Sequence, residues 1–101
     1  MSHIIIDAKF EELVERLESV GEPFLSGRSA VIVVERGGYQ LPLMFVCSKR
    51  GVVVKVGNGS QHVDQSLIQE VIAEFASKLS FPVKEARLAK KVLRRYGIPY
   101  P

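Results

Sequence analysis

The chain has 101 residues, 47% hydrophobic and 25% charged, with 14 Lys and Arg against 11 Asp and Glu. That length accommodates one hydrophobic core rather than two, and that composition is ordinary for a folded globular protein and disfavours a disordered chain. A lone cysteine, Cys47, excludes an internal disulfide and a multi-cysteine zinc site; His3 and His62 stand far apart without a Cys or carboxylate at ligand spacing, so no metal or other cofactor is expected.

The first residues, Met1-Ser2-His3-Ile4-Ile5-Ile6-Asp7, carry too short an apolar run for a secretion signal. The longest apolar runs, 30–34 and 41–47, fall far short of a membrane span. The chain therefore reads as cytoplasmic, without a membrane partner, and Asn58-Gly59-Ser60 reads as a turn rather than a glycosylation site. Residues 4–6 are a candidate short strand.

Residues 7–21 have helical spacing. Phe10, Leu13, Val14, Leu17 and Val20 form one stripe, and Glu11, Glu12, Glu15 and Glu18 the other. Asp7 is expected as N-cap, Gly21 as the left-handed C-terminal residue and Pro23 as the stop. Residues 22–29 read as a connector. Two β-rich runs, 30–36 and 39–47, flank Gly37-Gly38, whose positive φ angles suit a tight hairpin. Pro42 lacks an N–H, so its donor side is expected at an edge or a bulge. Ser48-Lys49-Arg50-Gly51 predicts a second turn, and 52–56 a third strand.

Gly57-Asn58-Gly59-Ser60 interrupts the pattern. Such a strand-to-helix loop can cradle phosphate, but it lacks the full spacing of a phosphate-binding loop and reads as a simple turn. Asp64 then caps a helix to Leu79 with Leu67, Ile68, Val71, Ile72, Phe75, Ala76 and Leu79 on one face. Pro82 is placed as the first residue of a third helix, running to Tyr96 and closed by Gly97. The expected architecture is thus an α+β domain over residues 1–101. An antiparallel three-stranded meander, with 4–6 as a fourth candidate strand, packs with three amphipathic helices in the order α-β-β-β-α-α.

The strands are apolar on both faces, because Val31-Ile32-Val33-Val34, 41–46 and 52–56 do not alternate. A buried aliphatic side chain contributes roughly 1.5–3 kcal/mol, so leaving several on a wet face forgoes a large part of a small domain's stability. A lid is therefore expected, either helix one or three on the far side or a second copy of the chain, with a homodimer preferred.

In the third expected helix, Lys84, Arg87, Lys90, Lys91, Arg94 and Arg95 share one side against Glu85 alone, and Ala86, Leu88, Ala89, Val92, Leu93 and Tyr96 fill the other. A line of cations displaces counterions from a phosphate backbone without reading sequence. The candidate nucleic-acid-binding set is these six residues together with Lys49 and Arg50 of the turn, and the partner DNA or RNA. The bland alternative is a solvated helix face, or one paired with the acidic first helix inside a chain or across a dimer. In the third helix Glu85 is expected to cap free N–H groups of the first turn.

The succession of helix, three-stranded meander and helix is similar to the core of the restriction-endonuclease-like nucleases, including archaeal junction resolvases. That resemblance implies an acid on the first core strand and a Glu-x-Lys triplet on the second, holding magnesium and the attacking water. Lys49 matches the lysine, but Cys47 stands in the place of the glutamate, and Glu35 and Glu12 are the nearby acids. Cys47 reads as a small buried filler, and no catalytic residue is assigned. The sequence thus favours a non-enzymatic binding module for nucleic-acid backbone. A homodimeric interaction subunit with paired acidic and basic helices is the alternative, and a degenerate nuclease-like domain a remote one.

Overall fold

The computed structural model describes residues 2–57 and 62–99. Strand β1 (His3–Ile6) leads into helix α1 (Phe10–Glu18), followed by β2 (Phe24–Ser26), β3 (Ser29–Arg36), β4 (Tyr39–Ser48) and β5 (Gly51–Val56). Helix α2 (Gln65–Leu79), β6 (Val83–Arg87) and the short α3 (Lys90–Arg95) complete the order. One antiparallel sheet runs β2-β3-β4-β5-β1-β6.

The α+β class and the meander agree with the sequence. The hairpin turn sits at Gly37 (φ 58°) and Gly38 (φ 82°), both in the left-handed region that a two-residue turn requires. Pro42 lies opposite Gly57, one residue beyond β5, and its carbonyl accepts from the Gly57 N–H at 2.8 Å. Its missing donor thus faces a rung where the ladder has ended.

The sheet has six strands rather than three or four. The candidate strand at 4–6 is real and central: β1 separates β5 from β6. The connector holds the unexpected β2, turned onto β3 through Gly27 (φ 58°) and locked by the Ser29 hydroxyl donating to the Ser26 carbonyl at 3.0 Å. The third helix is a strand in its first half. The Asp7 N–H donates to the Pro82 carbonyl at 2.8 Å, which lays Val83–Arg87 along β1 instead of starting a helix. Helix α1 begins at Phe10 with Lys9 as N-cap, so Asp7 caps nothing, and it ends at Glu18, ahead of Gly21. Asp64 does cap α2: its carboxylate accepts from the Ser66 N–H at 2.9 Å, which holds the carboxyl below its ordinary range. The turn expected at Gly57-Asn58-Gly59-Ser60 lies, beyond Gly57, outside the described residues, as do Tyr100 and Pro101.

Alternate residues of the strands build the core. Ile4, Ile6, Ala30, Ile32, Val34, Leu41, Leu43, Phe45, Val52 and Val54 point to one face and are buried there with Leu13 and Leu17 of α1, seven residues of α2, and Val92 and Leu93 of α3. Arg36, at the end of β3, tethers that face to α2 through a two-pronged bond to Glu74, 3.0 Å on each side. Arg16 of α1 donates to the Leu79 carbonyl at 2.6 Å and stacks over Phe81.

All three helices therefore cover the same face. Neither helix one nor helix three forms a lid on the other, which corrects that part of the expectation. The outer face carries Ile5, Val31, Val33, Pro42, Met44, Val46 and Val53, with Phe24 beside Val31, and the polar residues Glu35, Gln40 and Lys55 together with His3, Glu85 and Arg87 at the β1–β6 end. No helix covers this face; Val33 is 51% and Phe24 70% exposed, the apolar residues between are half-buried and Ile5 is 4% exposed, so in a single chain its apolar part opens to water chiefly at the β2–β3 end.

Two outcomes test this packing. A Cβ on Gly51 (φ 133°) would meet the Ile6 carbonyl at 2.3 Å, so Gly51→Ala is expected to lose about 2 kcal/mol or more in denaturant unfolding. The Arg36 guanidinium depresses the Glu74 carboxyl, with Lys78 adding to the effect. A depressed carboxyl contributes stability above its unfolded value and loses it as pH falls through the folded one. Glu74→Gln is expected to cost about 0.5–1 kcal/mol at pH 7 and to remove part of the acid-side decline, read as a flatter stability profile below about pH 5.

Candidate nucleic-acid interface

The expected helical strip becomes a bent line of charge with three parts. Lys84 and Arg87 sit on β6, an edge strand of the sheet. Lys90, Lys91, Arg94 and Arg95 sit on α3. Lys49 and Arg50 form the β4–β5 turn.

The sequence around β6 has the composition of a good helix, yet tertiary pairing overrides that propensity. Ile4, Ile5 and Ile6 are almost completely buried, and β1 needs a ladder on both sides to satisfy its backbone there. β5 supplies one and β6 the other. The register shifts between Ile5 and Ile6, so Ile5 faces Glu85 and Ile6 faces Val83, leaving Lys84 as the extra residue of a bulge. Its ammonium donates to the Arg50 carbonyl at 3.1 Å. The β4–β5 turn and β6 are therefore in contact through Lys84 and Arg50.

After β6 the chain turns at Leu88 and Ala89, where the Ala89 N–H donates to the Gln69 side chain at 2.8 Å. Helix α3 is anchored by buried Val92 and Leu93. It closes with Gly97 at φ 66° and the Ile98 N–H donating to the Leu93 carbonyl at 2.9 Å, an end that glycine favours. Its opposite side is exposed and basic.

Acids meet this line at only a few points. Glu85 does not cap a helix; it is the ionic centre of β6. It accepts from Arg50 at 2.9 Å and lies 3.1 Å from the His3 ring, with Arg87 at 3.9 Å. The Arg50 bond first, then His3, holds its carboxyl below the usual range. Arg95 is bound to Glu70 of α2. Lys90, Lys91 and Arg94 are exposed and have no acid partner among the described residues. Glu11, Glu12, Glu15 and Glu18 of α1 make no ion pair with these cations, so the acidic and basic helices do not pair within the chain.

The residues of the nuclease-like pattern part company. Glu12, Cys47 and Lys49 line one cleft of about 540 Å³ between the start of α1 and the β4–β5 turn, with Asp7, Glu11 and Lys84. Glu35 is exposed at the far end of β3, beside the Gly37-Gly38 turn. No group of three His, Cys, Asp or Glu among the described residues is arranged to hold a metal ion. The antiparallel sheet with β1 between β5 and β6, and helices on one face only, follows a different plan from a bare three-stranded meander between two helices. Cys47 is half-buried rather than fully buried, with the Arg28 guanidinium 3.7 Å from its sulfur. His62 packs edge-on against Tyr39, at the opposite end of β4 from Cys47, roughly 25 Å away at the rise of an extended strand. These two cannot act as a nucleophile and base pair.

Two features escaped the sequence. β2 has a visible signal, Phe-Leu-Ser before a glycine turn, but it is only three residues long. The Glu85 cluster has none, because its members come from β1, the β4–β5 turn and β6. In comparisons with known proteins, no family model, no curated protein and no solved structure matches this chain.

Proposed function

We propose that the chain is a non-enzymatic module that binds the phosphate backbone of a nucleic acid along the edge formed by β6 and α3. The observation that carries this reading is the trio Lys90, Lys91 and Arg94, exposed on one helix without an acid partner among the described residues. Cations left free in this way hold counterions or phosphates rather than structure. Arg87 extends the line onto β6, and Lys84 extends it to Arg50. The binding is to backbone and not to bases, since the line contains no aromatic platform on which bases would stack. DNA and RNA share the chemistry being recognised.

The test is a titration with labelled duplex DNA and duplex RNA of mixed sequence, at low and at physiological salt. Binding is expected to weaken steeply with salt, with a slope of about −0.9 in log K against log salt for each phosphate contacted on B-DNA. Replacing Lys90, Lys91 and Arg94 together by Ala should flatten that slope by about 2–3 units. Glu85→Gln, which frees Arg50 and Arg87, should tighten binding. Absence of binding at low salt, or an unchanged slope in the triple variant, overturns the reading.

A second reading, a homodimeric interaction subunit, is favoured by a separate observation: the apolar outer face that no helix covers. Patches of this kind mark interaction surfaces. Under this reading, Met44→Lys with Val46→Lys breaks the assembly into single chains that remain folded, seen as a fall in solution mass. An unchanged mass, or a single chain to begin with, removes it.

A further inference from the structure

We infer that the open edge of β3 is a self-docking site, at which two copies of the chain pair antiparallel along residues 32–36 about a two-fold axis at Val34. The inference goes beyond the phosphate-backbone reading and uses none of its residues.

Successive residues of a strand point their N–H and C=O groups to opposite sides. The Pro42 carbonyl bonds to Gly57, so the backbone of Pro42 points toward β5 and away from β3. Its register partner on β3 is Val33, and that pair is therefore not hydrogen-bonded. The N–H and C=O of Val33 must point outward, away from β4. Val31 and Glu35 share that direction. Val31 is taken by Phe24 of β2, the last pair of that ladder. Beyond it, the backbone groups of Val33 and Glu35 have no partner among the described residues.

The two ends of the sheet differ in how they are defended: one ends in β6, the other in the three-residue β2 and the stretch of β3 that β2 leaves uncovered. Natural sheets protect exposed edges with charges, especially Lys, and with bulges. β6 has both: Lys84 at a bulge, then Glu85 and Arg87. The free stretch of β3 reads Ile32-Val33-Val34-Glu35-Arg36, without a bulge, and Arg36 is bound to Glu74 on the helical side. Only Glu35 guards it, and Val33 is 51% exposed. β3 is the edge built to receive a strand.

Register then selects the occupant. With the axis at Val34, Val33 lies opposite Glu35 of the second copy, and Glu35 opposite its Val33. Every free N–H and C=O on both copies is then satisfied. Centring the axis on Val33 or on Glu35 uses only one of the two residues, and a slip by one presents groups already bonded to β4. The ends fit as well. The arriving strand must stop beside Ile32, because Phe24 occupies the next place. In this register the residue beside Ile32 is Arg36 of the second copy, after which Gly37-Gly38 turns that chain away. Gly38 has no atom within 4 Å of where a side chain would start. The free stretch is thus matched in length to itself, as an isologous contact requires. On the helical side, Val34 meets its own copy above a groove of about 350 Å³ lined by Val20, Gly21, Glu22, Phe75 and Lys78, with Gly21 packed against the Ile32 side chain. The axis stands normal to the sheet, so the β6–α3 edges lie at the two far ends, free for phosphate.

The decisive variant is Val33→Pro. The N–H it removes points into solvent in a single chain, where proline is tolerated in an edge strand, but it lies inside the ladder of the pair. The full chain is expected to be dimeric or a multiple of that by sedimentation equilibrium. Val33→Pro should halve the mass, with native circular dichroism and unchanged binding to duplex DNA. Amide exchange gives a second reading that does not depend on the variant folding. The Val33 and Glu35 amides should be protected in the associated protein and lose that protection on dilution, while those of Ile32 and Val34 stay protected at both concentrations. A monomeric wild-type chain, a folded Val33→Pro protein of unchanged mass, or unprotected Val33 and Glu35 amides in the associated protein each overturn the inference, and the first leaves the edge to an extended segment of another protein.

Discussion

Strand β1 has to be hydrogen-bonded on both sides. Its three isoleucines sit in the most buried part of the sheet, where an unpaired peptide group costs as much as a lost hydrogen bond. β5 satisfies one side because the meander ends beside it. The other side draws residues 83–87 out of the helix that their composition favours and makes them an edge strand. That exchange decides the shape of the basic region. A helix would have shown six cations in one stripe. Instead two of them lie along a sheet edge, four on a short following helix, and the turn of the β4–β5 hairpin joins the line through Lys84 and Arg50.

The same exchange explains how the charges are divided. On β6 the cations share Glu85 with His3 and Arg50, so that part of the line is largely satisfied by the protein itself. On α3 only Arg95 reaches an acid among the described residues. The helix is held by two buried residues and a glycine end, and its remaining cations point to water. Structural and available charge are thereby separated within a dozen residues, and the proposed phosphate contact uses the available part.

Placing all three helices on one face has a second consequence. It gives the sheet a dry side and a wet side although its strands are apolar on both. A sheet of this kind has three surfaces for larger structure: the open face, the guarded β6 edge and the unguarded β3 edge. Their chemistries differ, since the first is aliphatic between polar ends, the second cationic and the third bare backbone.

Much of this was written in local sequence. The Gly37-Gly38 turn, the Asp64 cap, the apolar stripes of α1 and α2 and the two-sided strands follow from rules that act over a few residues: positive φ, free N–H groups at a helix start, and the periods of helix and strand. The set of cationic residues was equally legible, because charge does not depend on the fold. The conformation carrying them was not. Residues 83–87 obey a helical pattern and a strand pattern alike, and the choice lay with β1, some eighty positions earlier, whose need for a second ladder no local rule expresses. The same holds for the covered face. Apolar residues on both sides of a strand state that two surfaces are greasy, but only the packing of α1, α2 and α3 against one of them decides which stays open, and with it which edges and charges are left for a partner.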